Sequence, residues 1–376
     1  MATFKKPRKE TGRAVPDPND AVAMAKAERA RKALLDLWVD TPRQRAILNN
    51  LRSYMRVCSN RRPGAPINGR RLSQFSQAGK SAIVERLIAE VAAEEVAGGR
   101  EPNPFRIIHL TIDKRITIKM LYQDILNRLG DDFEDVTGHV GVRLTPEQKK
   151  AIKGSSSENI VVKQQRIAEW VRKLGVELIV VDEIQRLVTK AKAERIDDTD
   201  AASFLTPDAE EVSSRLQTFL DKGIAPIAFI GDETSEEFFN LNRQFRPRLE
   251  KPLKLTPLNS GRESDRRHFA DFCNGYDAEL QKLNIVPIKT CLSEHDVLAA
   301  LITASGGHIG RAARIIEMAL PAALERGAAT LERYDLSNAV RDFAIGNDWV
   351  DHDPFSRRPV EPKISLADLS DDTDAD

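Results

Sequence analysis

The chain has 376 residues, enough for a nucleotide-binding-sized core with a smaller second domain and tails. Its 41% hydrophobic and 30% charged content is that of a globular protein with a charged surface, and its low aromatic share argues against an all-β or carbohydrate-binding architecture. Lys+Arg and Asp+Glu both total 57, so net charge by itself points to no nucleic-acid partner, and three scattered cysteines, Cys58, Cys273 and Cys291, exclude a zinc or disulfide framework.

In chain order, residues 1–33 open with Lys5, Lys6, Arg8, Lys9 and Arg13, then Pro16 and Pro18, and read as a basic flexible arm passing into a helix. This start lacks the apolar run of a signal peptide, and no segment is apolar for long enough to span a bilayer, so a cytoplasmic protein is expected. LLDLWVDTPRQRAILNNL breaks at Thr41-Pro42 and resumes with Ile47, Leu48 and Leu51 on one helical face. A basic, Gly/Pro-punctuated connection then leads through Arg70-Arg71 into SQAGKS, after which Ile83, Val84, Leu87, Ile88 and Val91 predict a helix.

FRIIHLTI (105–112) predicts a buried strand, followed by a helical stripe of Ile118, Leu121, Tyr122, Ile125, Leu126 and Leu129 that stops at Gly130. Ile167, Trp170, Val171 and Leu174 mark a further helix ahead of VELIVVDE (176–183), a strand apolar on both faces as a parallel sheet requires. Val212, Leu216, Phe219 and Leu220 give another helix before the strand IAPIAFIG. Alternating strands and helices imply an α/β doubly wound sheet over 34–258. Helical patterns alone follow over 259–345, and 346–376 reads as a polar, acidic tail.

Two elements carry chemistry. Ser76, Gln77, Ala78, Gly79, Lys80 and Ser81 form the second half of the phosphate-loop pattern GxxxxGK[ST]. Its backbone N–H groups and Lys80 would face phosphate oxygens, and the Ser81 hydroxyl would ligate Mg²⁺. The pattern's first glycine is replaced by Gln74, which removes the residue that normally permits the tight turn. Asp182-Glu183 ends the central strand, where doubly wound sheets bind ligands. Asp182 would hold Mg²⁺ and Glu183 would orient or activate water.

Together with WVDTPRQRAILNNL, MLYQDILNRLG, LGVELIVVDEIQRL, APIAFIGDETSEEFF, FRPRLEKPLKLTPL and SGGHIGRAARIIEMAL, these residues make the chain resemble TniB-like AAA+ ATPases, TnsC-related regulators of transposition. The resemblance implies a P-loop core with a parallel sheet flanked by helices, and a C-terminal helical lid. It also implies an arginine finger donated to the neighbouring subunit, matched here by Arg248 with Arg246 as second choice, and a second sensor at Arg311. The strand IAPIAFIG would end in a γ-phosphate sensor; Asp232 holds that place, either as sensor or as cap of the next helix.

By the same resemblance the chain would bind ATP with Mg²⁺, form a homo-oligomer on double-stranded DNA with little sequence preference, and work with a TniA-like transposase and a TniQ-like targeting protein. Lys114, Arg115 and Lys119 are the first candidates for phosphate contacts, with Lys190, Lys192 and Arg195 second. A helicase loader, a non-hydrolysing scaffold and a small-molecule phosphotransferase are the competing readings.

Overall fold

A computed structural model describes residues 21–74, 78–113, 117–131, 144–187, 207–241 and 244–356. Ser76, Gln77, Lys114, Arg115, Lys190, Lys192 and Arg195, with the basic arm to residue 20 and the tail beyond 356, lie outside the described residues. The chain begins with α1 (Ala21–Leu35), α2 (Pro42–Ser59), β1 (Arg70–Ser73), α3 (Lys80–Ala97), β2 (Ile107–Thr111) and α4 (Ile118–Leu129). It continues with α5 (Pro146–Lys153), α6 (Ile160–Leu174), β3 (Leu178–Asp182), α7 (Pro207–Asp221), β4 (Ile227–Gly231) and α8 (Thr234–Leu241). After these come α9 (Glu263–Lys282), α10 (His295–Ser305), α11 (Ile309–Glu325) and α12 (Arg333–Ala339). Contacts divide the chain into two compact units, Pro42–Thr256 and a second made of Met1–Thr41 with Pro257–Asp376.

In the first unit, four parallel strands lie in the order β1-β4-β3-β2. The two inner strands are buried at every residue, which is why LIVVD and IAFIG are continuous apolar runs rather than alternating ones. Isolated bridges from Gly69 to Leu249 and Leu72 to Leu253 extend the pairing beyond the outer side of β1. The helices close the core through apolar stripes at helical spacing. Ile118, Leu121, Tyr122, Ile125, Leu126 and Leu129 of α4 are all buried, and Phe229, Phe238, Phe239 and Phe245 form one aromatic cluster at centroid distances of 5.4–6.2 Å.

Strand β1 is absent from the sequence expectations because RRLS carries two charges. The fold accommodates both. Arg71 is buried, donates to Glu236 at 2.6 Å and lies over the Phe239 ring, while Arg70 lies 3.2 Å from Glu250 and over Tyr54.

The second unit is helical. Helix α1 buries Ala23, Ala27, Ala30 and Leu34, one face at helical spacing, and packs against α11. Small side chains let the two backbones approach closely, so the arm expected over 1–33 is ordered helix from Ala21 onward. The first residues of the expected tail also pack: Phe355 is buried, and Trp349 meets Phe343 edge-on at 5.1 Å. No helix among the described residues is long and apolar enough to cross a membrane.

Candidate functional site

The parallel register brings the strand ends together. Thr111 of β2 pairs with Asp182 of β3, and Ser73 of β1 pairs with Gly231 of β4, so the four strands finish side by side. Everything the sequence singles out after those strands therefore leaves from one edge of the sheet. The Gln74 N–H donates to the Gly231 carbonyl at 3.1 Å, prolonging the β1–β4 ladder by one residue before the loop begins.

Gly79 precedes α3 with φ 90° and ψ 19°, a left-handed conformation that a side chain would oppose. It turns the chain so that α3 starts at Lys80, which sets the positive end of the helix dipole at Gly79. Lys80 is only 7% exposed, and its Nζ donates to the Gln74 carbonyl at 2.6 Å. Burial pushes the Lys80 pKa below the usual lysine value, against the opposing pull of Asp182, Glu183, Asp232 and Glu233. The position that departs from the glycine pattern thus contributes its backbone oxygen to the lysine.

The Ser81 Oγ donates to Asp182 Oδ2 at 2.7 Å. Asp182 is 2% exposed; its Oδ1 accepts the Glu183 N–H at 2.8 Å, and His109 Nε2 lies 3.5 Å from Oδ2. Burial alone would raise the Asp182 pKa, but His109, Ser81 and the Glu183 N–H together hold it below the usual carboxylate value. A hydroxyl and an ionised carboxylate in contact, with an ammonium nearby, form the hard oxygen donor set that Mg²⁺ takes beside a polyphosphate. These residues fit an Mg²⁺–nucleotide.

Glu183 follows β3 with φ 60°, a left-handed conformation for a residue with a side chain. Its Oε2 accepts from Gln185 Nε2 at 2.8 Å and lies 3.3 Å from Arg186 Nε. Asp232 Oδ1 accepts from both the N–H (2.9 Å) and the hydroxyl (2.6 Å) of Thr234 at the start of α8. Of the two roles open for Asp232, this geometry is that of a cap.

Of the remaining candidates, Arg246, Arg248 and Lys119 belong to the same unit as this cluster and Arg311 to the helical one. Arg248, in a 3-10 turn over Arg246–Arg248, is half-exposed and its Nε donates to Asp221 of its own chain, whereas Arg246 is exposed. Lys119 is exposed, and its Nζ donates to the Ser157 carbonyl at 3.3 Å. Arg311, in the first turn of α11, stacks over Trp349 at 5.2 Å within the helical unit. Gly306 and Gly307 turn into that helix with φ of 58° and 75°, and a Cβ on Gly307 would sit 2.0 Å from the Leu258 carbonyl.

Sequence reasoning missed His109 and Gln185. His109 has a signal in hindsight: it lies two residues before Thr111, the partner of Asp182, and alternate residues of a strand share a face. Gln185 has none, because its contacts depend on how the turn after β3 folds back.

Residues 29–139 match the model of a family described as bacterial TniB protein, in agreement with the resemblance read from the motifs. No curated protein matches the chain significantly. Among solved structures, the Aeropyrum pernix ORC1 protein in complex with DNA is 17% identical with a TM-score of 0.51, over 83% of this chain and 69% of that one. CDC6P from Pyrobaculum aerophilum (14% identity, TM-score 0.47, 81% and 68% coverage) and Aeropyrum pernix ORC2 (15%, 0.47, 82% and 70%) align more loosely. The likeness to the first concerns the fold alone: a parallel sheet flanked by helices, and a C-terminal helical domain.

Proposed function

We propose, from an AAA+ fold whose residues 29–139 match the bacterial TniB model, that this chain is an ATP-dependent regulator of DNA transposition. In this reading it binds and hydrolyses ATP, assembles as a homo-oligomer on target DNA, and recruits or activates a TniA-like transposase, with a TniQ-like targeting protein as a further partner. The contact between Ser81 and Asp182 across 101 residues, with Lys80 buried beside it, is the observation that carries the reading.

Each residue has a task that its chemistry allows. Backbone N–H groups around Ala78 and Gly79 would bind phosphate oxygens, and Lys80 would exchange the Gln74 carbonyl for the β and γ phosphates. Ser81 and Asp182 would hold Mg²⁺, which supplies charge neutralisation at the phosphates when bound. Glu183 would accept the proton of the attacking water. An arginine from a neighbouring subunit would counter charge on the γ phosphate; Arg248 is the first choice and must leave Asp221 to do so, while exposed Arg246 is the alternative.

DNA association draws support from the ORC1 neighbour having been solved with DNA, and Lys114, Arg115 and Lys119 are the proposed phosphate contacts. A non-hydrolysing scaffold is the second reading, favoured by Gln74 at the glycine position and by the engaged state of the Glu183 carboxylate. Nucleotide affinity, phosphate release and sedimentation with and without duplex DNA separate the readings. Lys80→Ala should lose tight ATP binding, and Glu183→Gln should bind ATP, stop hydrolysis and accumulate on DNA. Tight ATP binding by Lys80→Ala, or normal turnover by Glu183→Gln, refutes the assigned roles.

A further inference from the structure

An open groove of about 890 Å³ runs along α11 and α12 in the helical unit. Arg326, just past the end of α11, pairs with Asp335 in the first turn of α12, and Arg314 in the first half of α11 lies 5.7 Å over the Phe343 ring just past α12. The two helices are therefore antiparallel. One wall is the stripe Met318, Ala322 and Arg326 and the other is Tyr334, Asn338 and Asp342, each at a spacing of one helical turn. Ala319 and Ala339, both buried, make the floor. From Met318 to Arg326 a helix rises about 12 Å, so the groove is long enough for roughly two turns of a third helix. Alanines between the walls let such a helix approach to the close interaxial distance of packed helices, about 8–10 Å. Met318 and Tyr334 stay 42% and 60% exposed, which leaves an adaptable and an aromatic side chain in water on either wall.

The charges of the groove are unbalanced. Arg326, the cation among the lining residues, is committed: its Nε and Nη2 donate to the two Asp335 carboxylate oxygens at 2.8 Å, and Nη2 donates to Glu332 at 2.9 Å. Asp342 is exposed on the other wall, away from that pair, and no cation among the described residues meets it. We propose that this groove docks an amphipathic helix of a protein partner, with an apolar stripe against Met318, the alanines and Tyr334 and a lysine or arginine over Asp342. The complement is a basic helix, because an acidic one would bring a carboxylate against Asp342 in a lining whose acids outnumber its arginine. Docking of this kind needs neither nucleotide nor DNA and is independent of the ATPase function proposed above.

The test uses the nucleotide-free full chain and a pair of synthetic helical peptides, both with leucine at i, i+3, i+4 and i+7 and with either lysine or glutamate elsewhere. Fluorescence anisotropy measures affinity. The ¹³C-methyl resonance of Met318, assigned by its loss in Met318→Leu, reports where the peptide binds. The lysine peptide should bind at least about fivefold more tightly than the glutamate peptide, the range expected when one partly exposed ion pair replaces one like-charge contact. It should also shift the Met318 resonance. Asp342→Lys should abolish or reverse the preference, and Ala322→Trp, which fills the groove from an exposed position, should abolish binding of the lysine peptide. Equal affinities, a preference unchanged in Asp342→Lys, an unmoved Met318 resonance, or undiminished binding by Ala322→Trp overturns the proposal. Self-association of the chain that Ala322→Trp removes and the lysine peptide does not compete with also overturns it, since the groove would then belong to a second copy. Should Ala322→Trp not fold, the Asp342→Lys comparison and the Met318 resonance decide.

Discussion

The backbone at Glu183 makes a prediction whose sign is opposite to the ordinary one. At most positions glycine is less stable than alanine by about 0.5–1 kcal/mol, because the unfolded chain has more freedom to lose. Glu183 has φ 60°, where any side chain costs about 1–2 kcal/mol that glycine avoids. Glu183→Gly and Glu183→Ala both remove the carboxylate and its contacts with Gln185 and Arg186, so those losses cancel between them. What remains is the backbone term offset by glycine's entropy, which leaves Glu183→Gly the more stable by about 1 kcal/mol. For a unit of this size that corresponds to about 2–4 °C in Tm. Thermal unfolding of the two nucleotide-free variants side by side, followed by circular dichroism, measures it. An alanine variant that melts at or above the glycine variant would refute the left-handed turn, and with it the direction in which Glu183 leaves the strand. Both variants should lack hydrolysis, so at this position stability and activity part company, as strained functional sites lead one to expect.

Three further outcomes follow from the same structure. Burial opposes ionisation of Asp182, but His109, Ser81 and the Glu183 N–H keep its folded pKa depressed; such a carboxylate adds stability above its unfolded pKa that is lost as pH falls through the folded value. The metal-free chain should accordingly lose stability below about pH 4, and Asp182→Asn should flatten that limb of a urea-unfolding profile. Ala30→Leu, at a position with no exposure on the face of α1 packed against α11, should destabilise the helical unit by about 1–3 kcal/mol, seen as a lower melting midpoint. Gly231→Ala would place a Cβ 2.8 Å from both Gln185 Oε1 and Ile184 Cγ2 and 2.9 Å from Ser235 Cβ, and should cost about 1–3 kcal/mol in chemical denaturation.

Legibility in the sequence followed the kind of interaction. Strands β3 and β4 were legible because strands buried on both faces must be apolar throughout, β2 because of the apolar run that opens it, and α4 because its buried stripe repeats at helical spacing. Strand β1 was not legible, since the partners that neutralise Arg70 and Arg71, Glu250 and Glu236, come from more than 150 positions away. The docking of α1 was hidden for a related reason: alanines with interspersed lysines and arginines suit an exposed helix, and only the surface of α11 shows why those alanines are buried.

The sequence by itself determined the residue types of the phosphate loop, the acidic pair at the end of an apolar strand, and the alternation of strands and helices, because each depends on neighbours within one element. Tertiary structure alone decided which strands lie side by side, and therefore that Ser81 meets Asp182, that His109 stands next to that carboxylate, and that Gln185 and Arg186, which contact Glu183, also bond to the backbone just past β4 and β2. Parallel pairing joins segments separated by whole helices, and the order in which they join is set by how those helices cover the sheet, which no local pattern records.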